Sequence, residues 1–222
     1  MTTQRPVAGL LLDFGGVISK TTFENLERVE RGLGLDAGTL SWRGPLDPDT
    51  DPLWRDMLAD RITERRYWET RAAEVGALVG ERWDIRIMND RAFEIVGLDW
   101  FRSDLAELLK EARQSGIRTG ILSNELELFH GIAFMKQVPA LQNIDVIVDA
   151  THTKVLKPDP RAYHLGLEAL QAAPERTLFV DDQIRNVRGA QAVGIATLHF
   201  DVRRPAEMVR EIRERLALRL AV

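Results

Sequence analysis

The chain has 222 residues, which allows one large domain or one domain with a small insert. Its 45% hydrophobic and 29% charged residues suit a globular protein, and a formal net charge of −4 excludes nucleic-acid binding driven by bulk positive charge. Cysteine is absent, which excludes disulfides, zinc–thiolate sites and thiol nucleophiles and fits a reducing compartment.

The first element is an apolar run, Ala8 to Phe14, that includes a carboxylate at Asp13. A strand buried on both faces of a parallel sheet has this pattern. The run is too short for a signal sequence or a membrane span, so a cytoplasmic protein with no membrane partner is expected. From about Ser19 to Trp100 the pattern is helical, with no convincing strand. A helix is predicted from near Thr63, with Trp68, Ala72, Val75 and Val79 on one face. Arg61, Arg65, Arg66 and Arg71 read either as a solvated face or as help for an anionic substrate. All five tryptophans fall in this segment, and most are expected to fill its core. The stretch Gly44 to Pro52 reads as a loop.

After Ser103, a candidate N-cap, Leu105, Leu108, Leu109 and Ala112 follow at helical spacing, with Gly116 as the stop. Strands are then predicted at Arg118–Ser123, Asp145–Asp149, Thr177–Asp181 and Ala196–Phe200. Between them lie a helix opened by Asp159-Pro160 and another from Ile184 to Val193, closed by Gly194. Pro205 opens the last helix, with Met208, Ile212, Leu216 and Leu220 in register. Strands alternating with helices imply an α/β fold with a Rossmann-like parallel sheet. The expected division is a core of 1–18 and 101–222 with a helical cap at 19–100.

Four short motifs stand out: Asp13-Phe14-Gly15-Gly16-Val17, Ser123-Asn124, Lys157-Pro158 and Asp181-Asp182. Ligands of open parallel sheets bind at the carboxyl ends of the strands, where the fold would gather these residues. A carboxylate such as Asp13 can attack phosphorus and split one hard displacement into two easier ones. Gly15 and Gly16 let the backbone, with the neighbouring N–H groups around Phe14, approach phosphate oxygens. Ser123 offers a hydroxyl, Asn124 a backbone N–H, and Lys157 a charge that offsets phosphate and Asp13. Asp181 and Asp182 side by side call for a cation, and Mg²⁺ prefers oxygen ligands. Each motif alone is ordinary turn or cap chemistry; the four in order at strand ends are far more specific.

In these motifs the chain resembles the haloacid dehalogenase superfamily of phosphohydrolases. The matching stretches are Asp13 to Ile18, Leu122-Ser123-Asn124, Lys157 to Pro160, and Phe179 to Asp182 with Asn186. The branch it most resembles is the N-terminal phosphatase domain of soluble epoxide hydrolases, with the insert in the place of a small C1-type cap. The resemblance implies Asp13 as nucleophile and metal ligand, and a Gly15 carbonyl on Mg²⁺. It further implies Asp182 as direct ligand, Asp181 as direct or water-mediated ligand, and Asn186 in support. Family phosphatases carry Asp two positions after the nucleophile as general acid and base, and here that position is Gly15. The loss of such a group is worth ~10²–10⁴-fold. Glu125, Glu24 and His130 are the candidate replacements, although Glu125 and His130 also read as ordinary surface residues.

The expected function is therefore a Mg²⁺-dependent phosphatase of a small phosphorylated metabolite, acting as monomer or homodimer with no nucleic-acid partner. The alternatives are a metal-independent 2-haloacid dehalogenase, for which Gly15 is no obstacle, and a non-catalytic binding protein. Paired acids at Asp181-Asp182 argue against the first. Intact Asp13 and Lys157 argue against the second.

Overall fold

A computed structural model describes residues 6–135 and 138–218, so the Leu220 position of the last helix lies outside the described residues. The chain divides into two compact units. One comprises Met1–Lys20, Phe101–Glu127 and Ile132–Val222; the other comprises Thr21–Trp100 with Leu128–Gly131. Among the described residues no helix is long and apolar enough to cross a membrane.

The first unit is built on five parallel strands: β1 (Gly9–Leu12), β2 (Arg118–Ser123), β3 (Val146–Asp149), β4 (Thr177–Asp181) and β5 (Ala196–His199). Their order across the sheet is β3-β2-β1-β4-β5. Every residue of β1 and β4 is buried, which is why both read as unbroken apolar runs. Flanking helices Ser103–Gln114, Pro160–Leu170, Ile184–Ala192 and Pro205–Arg215 supply the apolar stripes seen in the sequence. Leu11, Leu122, Tyr163, Leu167 and Phe179 form one core cluster of this unit. Each large apolar side chain removed from water contributes roughly 1.5–3 kcal/mol.

The strand order decides where chemistry can occur. After β1 the chain builds β2 and β3 on one side, then returns to place β4 on the other. Neighbouring loops from β1 and β4 thus part at the carboxyl edge, which opens a crevice there. The register pairs Leu12 with Val180, and the Asp13 N–H donates to the Val180 carbonyl at 2.9 Å. Asp13 and Asp181 are thereby fixed side by side at the crevice. One cap differs from expectation: Ser103 is the first helical residue, and Arg102 stands at the N-cap with no side-chain bond to the helix's own N–H groups. Asp159 does cap its helix, accepting from the Arg161 N–H at 2.9 Å.

Among its described residues the second unit is helical, with helices Leu26–Gly32, Pro52–Leu58, Glu64–Leu78 and Ile85–Val96. Thr63 caps the third of these, as its sequence predicts. Phe23, Trp42, Trp54, Tyr67 and Trp83 make the core, and Trp68 packs against it partly buried. Arg71 overturns the solvated-face reading. It is buried between Trp42 and Tyr67, with its guanidinium carbon 5.2 Å from each ring centroid, and its Nη2 donates to Asp51 Oδ1 at 2.5 Å. Asp51 also accepts from Tyr67 Oη at 2.6 Å and the Trp54 N–H at 3.0 Å, so a fully buried carboxylate is satisfied on every side. Residues 128–131 complete the unit: Arg86 donates to the Leu128 carbonyl and Asn89 to the Phe129 carbonyl, each at 3.1 Å.

Candidate active site

Asp13 follows β1 in extended backbone, and its side chain is 10% exposed. The chain then makes one wide turn, closed by the Ser19 N–H donating to the Phe14 carbonyl at 2.9 Å. Phe14 reaches the site with its backbone only, since its ring is buried against Phe101 and Phe134. Gly16 has φ +75, and a Cβ there would lie 2.6 Å from Asp182 Oδ2. Backbone and packing therefore both demand glycine. Gly15 is different. Its φ of −68 and ψ of 131 suit any residue, and a Cβ would meet nothing within 4 Å.

Lys157 is the electrostatic centre. Its Nζ lies 2.9 Å from Asp13 Oδ1 and 2.7 Å from Asp181 Oδ2, and its side chain is 1% exposed. Asn124 holds it there by its backbone. The Lys157 N–H donates to Asn124 Oδ1 at 2.8 Å, and Asn124 Nδ2 donates to the Lys157 carbonyl at 3.2 Å. The aliphatic stem leaves the ammonium 5.6 Å from the Phe179 ring centroid.

Asp181, at the end of β4, is fully buried. Its Oδ1 accepts from the Gln183 N–H at 2.8 Å, and Asn186 Nδ2 donates to both its oxygens at 3.1 Å. Asn186 is held in turn because its own carbonyl accepts from Tyr163 Oη at 2.7 Å. Asp182 is less buried, and His199 Nε2 donates to its backbone carbonyl at 2.9 Å. Ser123 ends β2, buried and in register with Asp149.

Asp13, Asp181 and Asp182 each present an oxygen within 4.8 Å of the others. One ammonium cannot neutralise three carboxylates in so dry a place. Burial pushes the Asp13 carboxyl up to about 7, and neighbouring Asp181 adds to this against the pull of Lys157. Burial disfavours the Lys157 ammonium, but Asp13 and Asp181 outweigh it and hold its pKa above the usual lysine value. An all-oxygen donor set with unbalanced negative charge fits a hard divalent cation such as Mg²⁺. Asp181 already has both oxygens bonded by protein donors.

The structure thus brings Asp13, Gly15, Gly16, Asn124, Lys157, Asp181, Asp182 and Asn186 into one linked constellation. The three candidate replacements for the acid absent at Gly15 do not share one unit. Glu24 accepts from the Thr21 N–H at 2.7 Å as part of a capping box in the helical unit. His130 belongs to that unit too, and burial lowers its pKa to about 4. Glu125, expected at the surface, is 8% exposed and lies in the sheet unit at a left-handed φ of 63. Three supporting residues escaped sequence reasoning. Tyr163 lies three residues beyond the Lys157 to Pro160 stretch, and Asp149 had the same strand-end signature as Asp181; its carboxylate accepts from the Leu126 and Glu127 N–H groups. Arg102 sits in no motif, yet its Nη2 donates to the Gly16 carbonyl at 3.1 Å.

Comparison with known proteins places these residues in a wider frame. Residues 8–194 match the family model described as haloacid dehalogenase-like hydrolase. The acyl-CoA dehydrogenase family member 10 of Mus musculus is 30% identical over 94% of this chain, which spans only 19% of that protein. Phosphatase MT3486 of Mycobacterium tuberculosis is 32% identical over 49% of this chain and 52% of its own length. Phosphatases and haloacid dehalogenases both occur among the matched relatives. The HAD-hydrolase YfnB of Bacillus subtilis, solved bound to magnesium, shares the fold with a TM-score of 0.64 at 15% identity, covering 87% of this chain and 86% of that one.

Proposed function

The chain belongs to the haloacid dehalogenase-like hydrolases, and on that premise we propose that it is a Mg²⁺-dependent phosphatase of a small phosphorylated metabolite. The observation that carries this reading is the cluster of Asp13, Asp181 and Asp182, the first two of which pair with Lys157. A dehalogenating aspartate needs a lysine nearby but no third carboxylate. A phosphate dianion could not enter such an acidic pocket without a metal.

Asp13 attacks phosphorus through the carboxylate oxygen not held by Lys157. The ester P–O bond breaks, the leaving oxygen takes its proton from solvent, and an aspartyl-phosphate remains on Asp13. Water then attacks that phosphorus, releases inorganic phosphate and restores the carboxylate. Lys157, Ser123 and the backbone N–H groups of the Gly15–Gly16 turn hold the equatorial oxygens as charge gathers there. Asp13, Asp182 and the Gly15 carbonyl, supported by Asp181, would hold Mg²⁺, which when bound would neutralise charge on the phosphoryl group. Gly15 offers no proton to the leaving alcohol. Esters of acidic alcohols are the favoured substrates, with Glu125 the one candidate acid in the sheet unit.

The test is release of p-nitrophenol and phosphate from p-nitrophenyl phosphate, with and without Mg²⁺, by wild type and Asp13→Asn. Mg²⁺-dependent release abolished in the variant supports the reading. No release above the variant's background overturns it. One observation favours a second reading: Gly15 at the acid position, together with dehalogenase relatives, suits metal-independent hydrolysis of 2-haloacids. Halide release from 2-chloropropionate in EDTA distinguishes it.

A further inference from the structure

Arg102 is a buried cation outside every motif, 5% exposed, at the point where the chain re-enters the sheet unit. It holds the turn after Asp13 at two points. Its backbone N–H donates to the Ile18 carbonyl at 3.1 Å, and its Nη2 donates to the Gly16 carbonyl at 3.1 Å. The adjacent Phe101 forms an antiparallel bridge with Ser19, where the chain leaves the unit. On its other side the guanidinium lies 5.3 Å from the Phe200 ring centroid. The Phe200 N–H in turn donates to the Asp181 carbonyl at 2.9 Å.

These contacts tie together the two sides of the carboxylate cluster. Gly16 borders Asp182, and its backbone is left-handed at φ +75, a conformation that glycine adopts without a Cβ penalty. A glycine pair has more backbone freedom than any other dipeptide, so without an anchor this turn would sample many orientations of its peptide planes. Fixing the Gly16 carbonyl fixes the whole Gly16–Val17 peptide plane, including its N–H. A charged donor to a neutral carbonyl makes a stronger anchor than an amide would.

We propose that Arg102 is a positioning residue for the Asp13–Ile18 turn, holding the Gly15–Gly16 backbone in the orientation that phosphate and metal require. Its kinetic consequence rests on the phosphatase reading above; its effect on the turn does not.

The test pairs hydrogen exchange with kinetics on the full chain, for wild type, R102K and R102M. In R102M the amides of residues 14–19 are expected to exchange about tenfold faster or more, with β1 and β4 unchanged. The kcat for p-nitrophenyl phosphate should fall by about 10–100-fold with KM nearly constant, the scale typical for outer-shell partners. R102K, which keeps the charge and loses the forked donor, should recover part of both. Wild-type exchange of the turn in R102M overturns the proposal. So does protection lost evenly across the sheet unit with no recovery in R102K, which would mark a merely structural cation. If R102M does not fold, R102K is read alone: turn-limited acceleration supports the proposal and unchanged exchange overturns it. If wild type releases no phosphate, the phosphatase reading fails, while the exchange data still decide the role of Arg102.

Discussion

The Lys157 ammonium lies 2.9 Å from Asp13 Oδ1, and the same nitrogen lies 2.7 Å from Asp181 Oδ2. A single buried cation thus spans the carboxyl ends of β1 and β4. Removing one partner of a buried ion pair typically costs about 3–5 kcal/mol, because the remaining charge is stranded. Lys157→Met should therefore lower the thermal midpoint sharply at pH 8 and less at pH 5, where Asp13 holds its own proton. Phosphatase activity should drop by about 10²–10³-fold with the loss of oxyanion stabilisation. A variant as stable as wild type at pH 8 would show that the lysine is not paired as described.

The Asp13 carboxyl is raised to about 7 by burial first and by Asp181 second, against Lys157. Its pKa in the folded chain exceeds its value when unfolded, so the folded state binds this proton more tightly. The stability from Asp13 is full below about pH 4 and is lost as pH rises through about 7. In EDTA, the melting temperature of wild type should carry this downward slope, and Asp13→Asn should lack it. The amide variant should be at least as stable as wild type at pH 8 while having no activity. Parallel pH profiles for the two proteins would contradict the raised value.

Metal binding should draw on the same proton. Mg²⁺ must compete with it for Asp13, so apparent affinity should climb by up to about tenfold per pH unit below 7 and level off above. Isothermal titration in two buffers of different ionisation enthalpy measures the protons released. The expectation is close to one at pH 6 and near zero at pH 8.5. A value near zero at both would remove Asp13 from the ligand set.

In the helical unit, Asp51 and Arg71 form a fully buried pair completed by Tyr67. Arg71→Met leaves Asp51 uncompensated and should destabilise by about 3–5 kcal/mol. Asp51→Asn and Arg71→Met together should cost less than the sum of the two singly. Chemical denaturation of the single and double variants checks this; strictly additive losses would sink it.

The sheet was readable because strands buried on both faces, such as Leu10-Leu11-Leu12 and Leu178-Phe179-Val180, leave unbroken apolar runs ending in polar residues. Asp13 and Asp181 were readable for the same reason, because strand ends mark the crevice, and Lys157 was readable from its Lys-Pro-Asp-Pro loop before a helix. The roles that escaped are those set by tertiary contact. Asn124 clamps the Lys157 backbone across a separation of 33 residues, and Arg102 reaches the Gly16 carbonyl across 86. Arg71 follows the arginine pattern of a solvated helix face, and only its partner Asp51, 20 residues earlier, turns it inward. Local pattern has no access to such partners.

Gly15 stands two residues after Asp13, the proposed nucleophile, where a carboxylate would supply the acid and base that the proposed reaction lacks. Nothing obstructs one: the backbone there is extended at φ −68, and an added Cβ meets no atom within 4 Å. Gly15→Asp should therefore fold with a stability change within about 1 kcal/mol, since replacing glycine at an unstrained site also reduces the freedom of the unfolded chain. If protonation of the leaving group limits turnover, kcat should rise by about 10–10²-fold on alkyl phosphates, part of what general acid catalysis supplies. The gain should shrink on p-nitrophenyl phosphate, whose leaving group needs little help. The ratio of the two gains is the decisive quantity. Equal gains would mean that the new carboxylate acts on water or metal rather than on the leaving oxygen. No gain on either substrate, in a folded variant that binds Mg²⁺ as wild type does, would mean that another group such as Glu125 already performs the proton transfer.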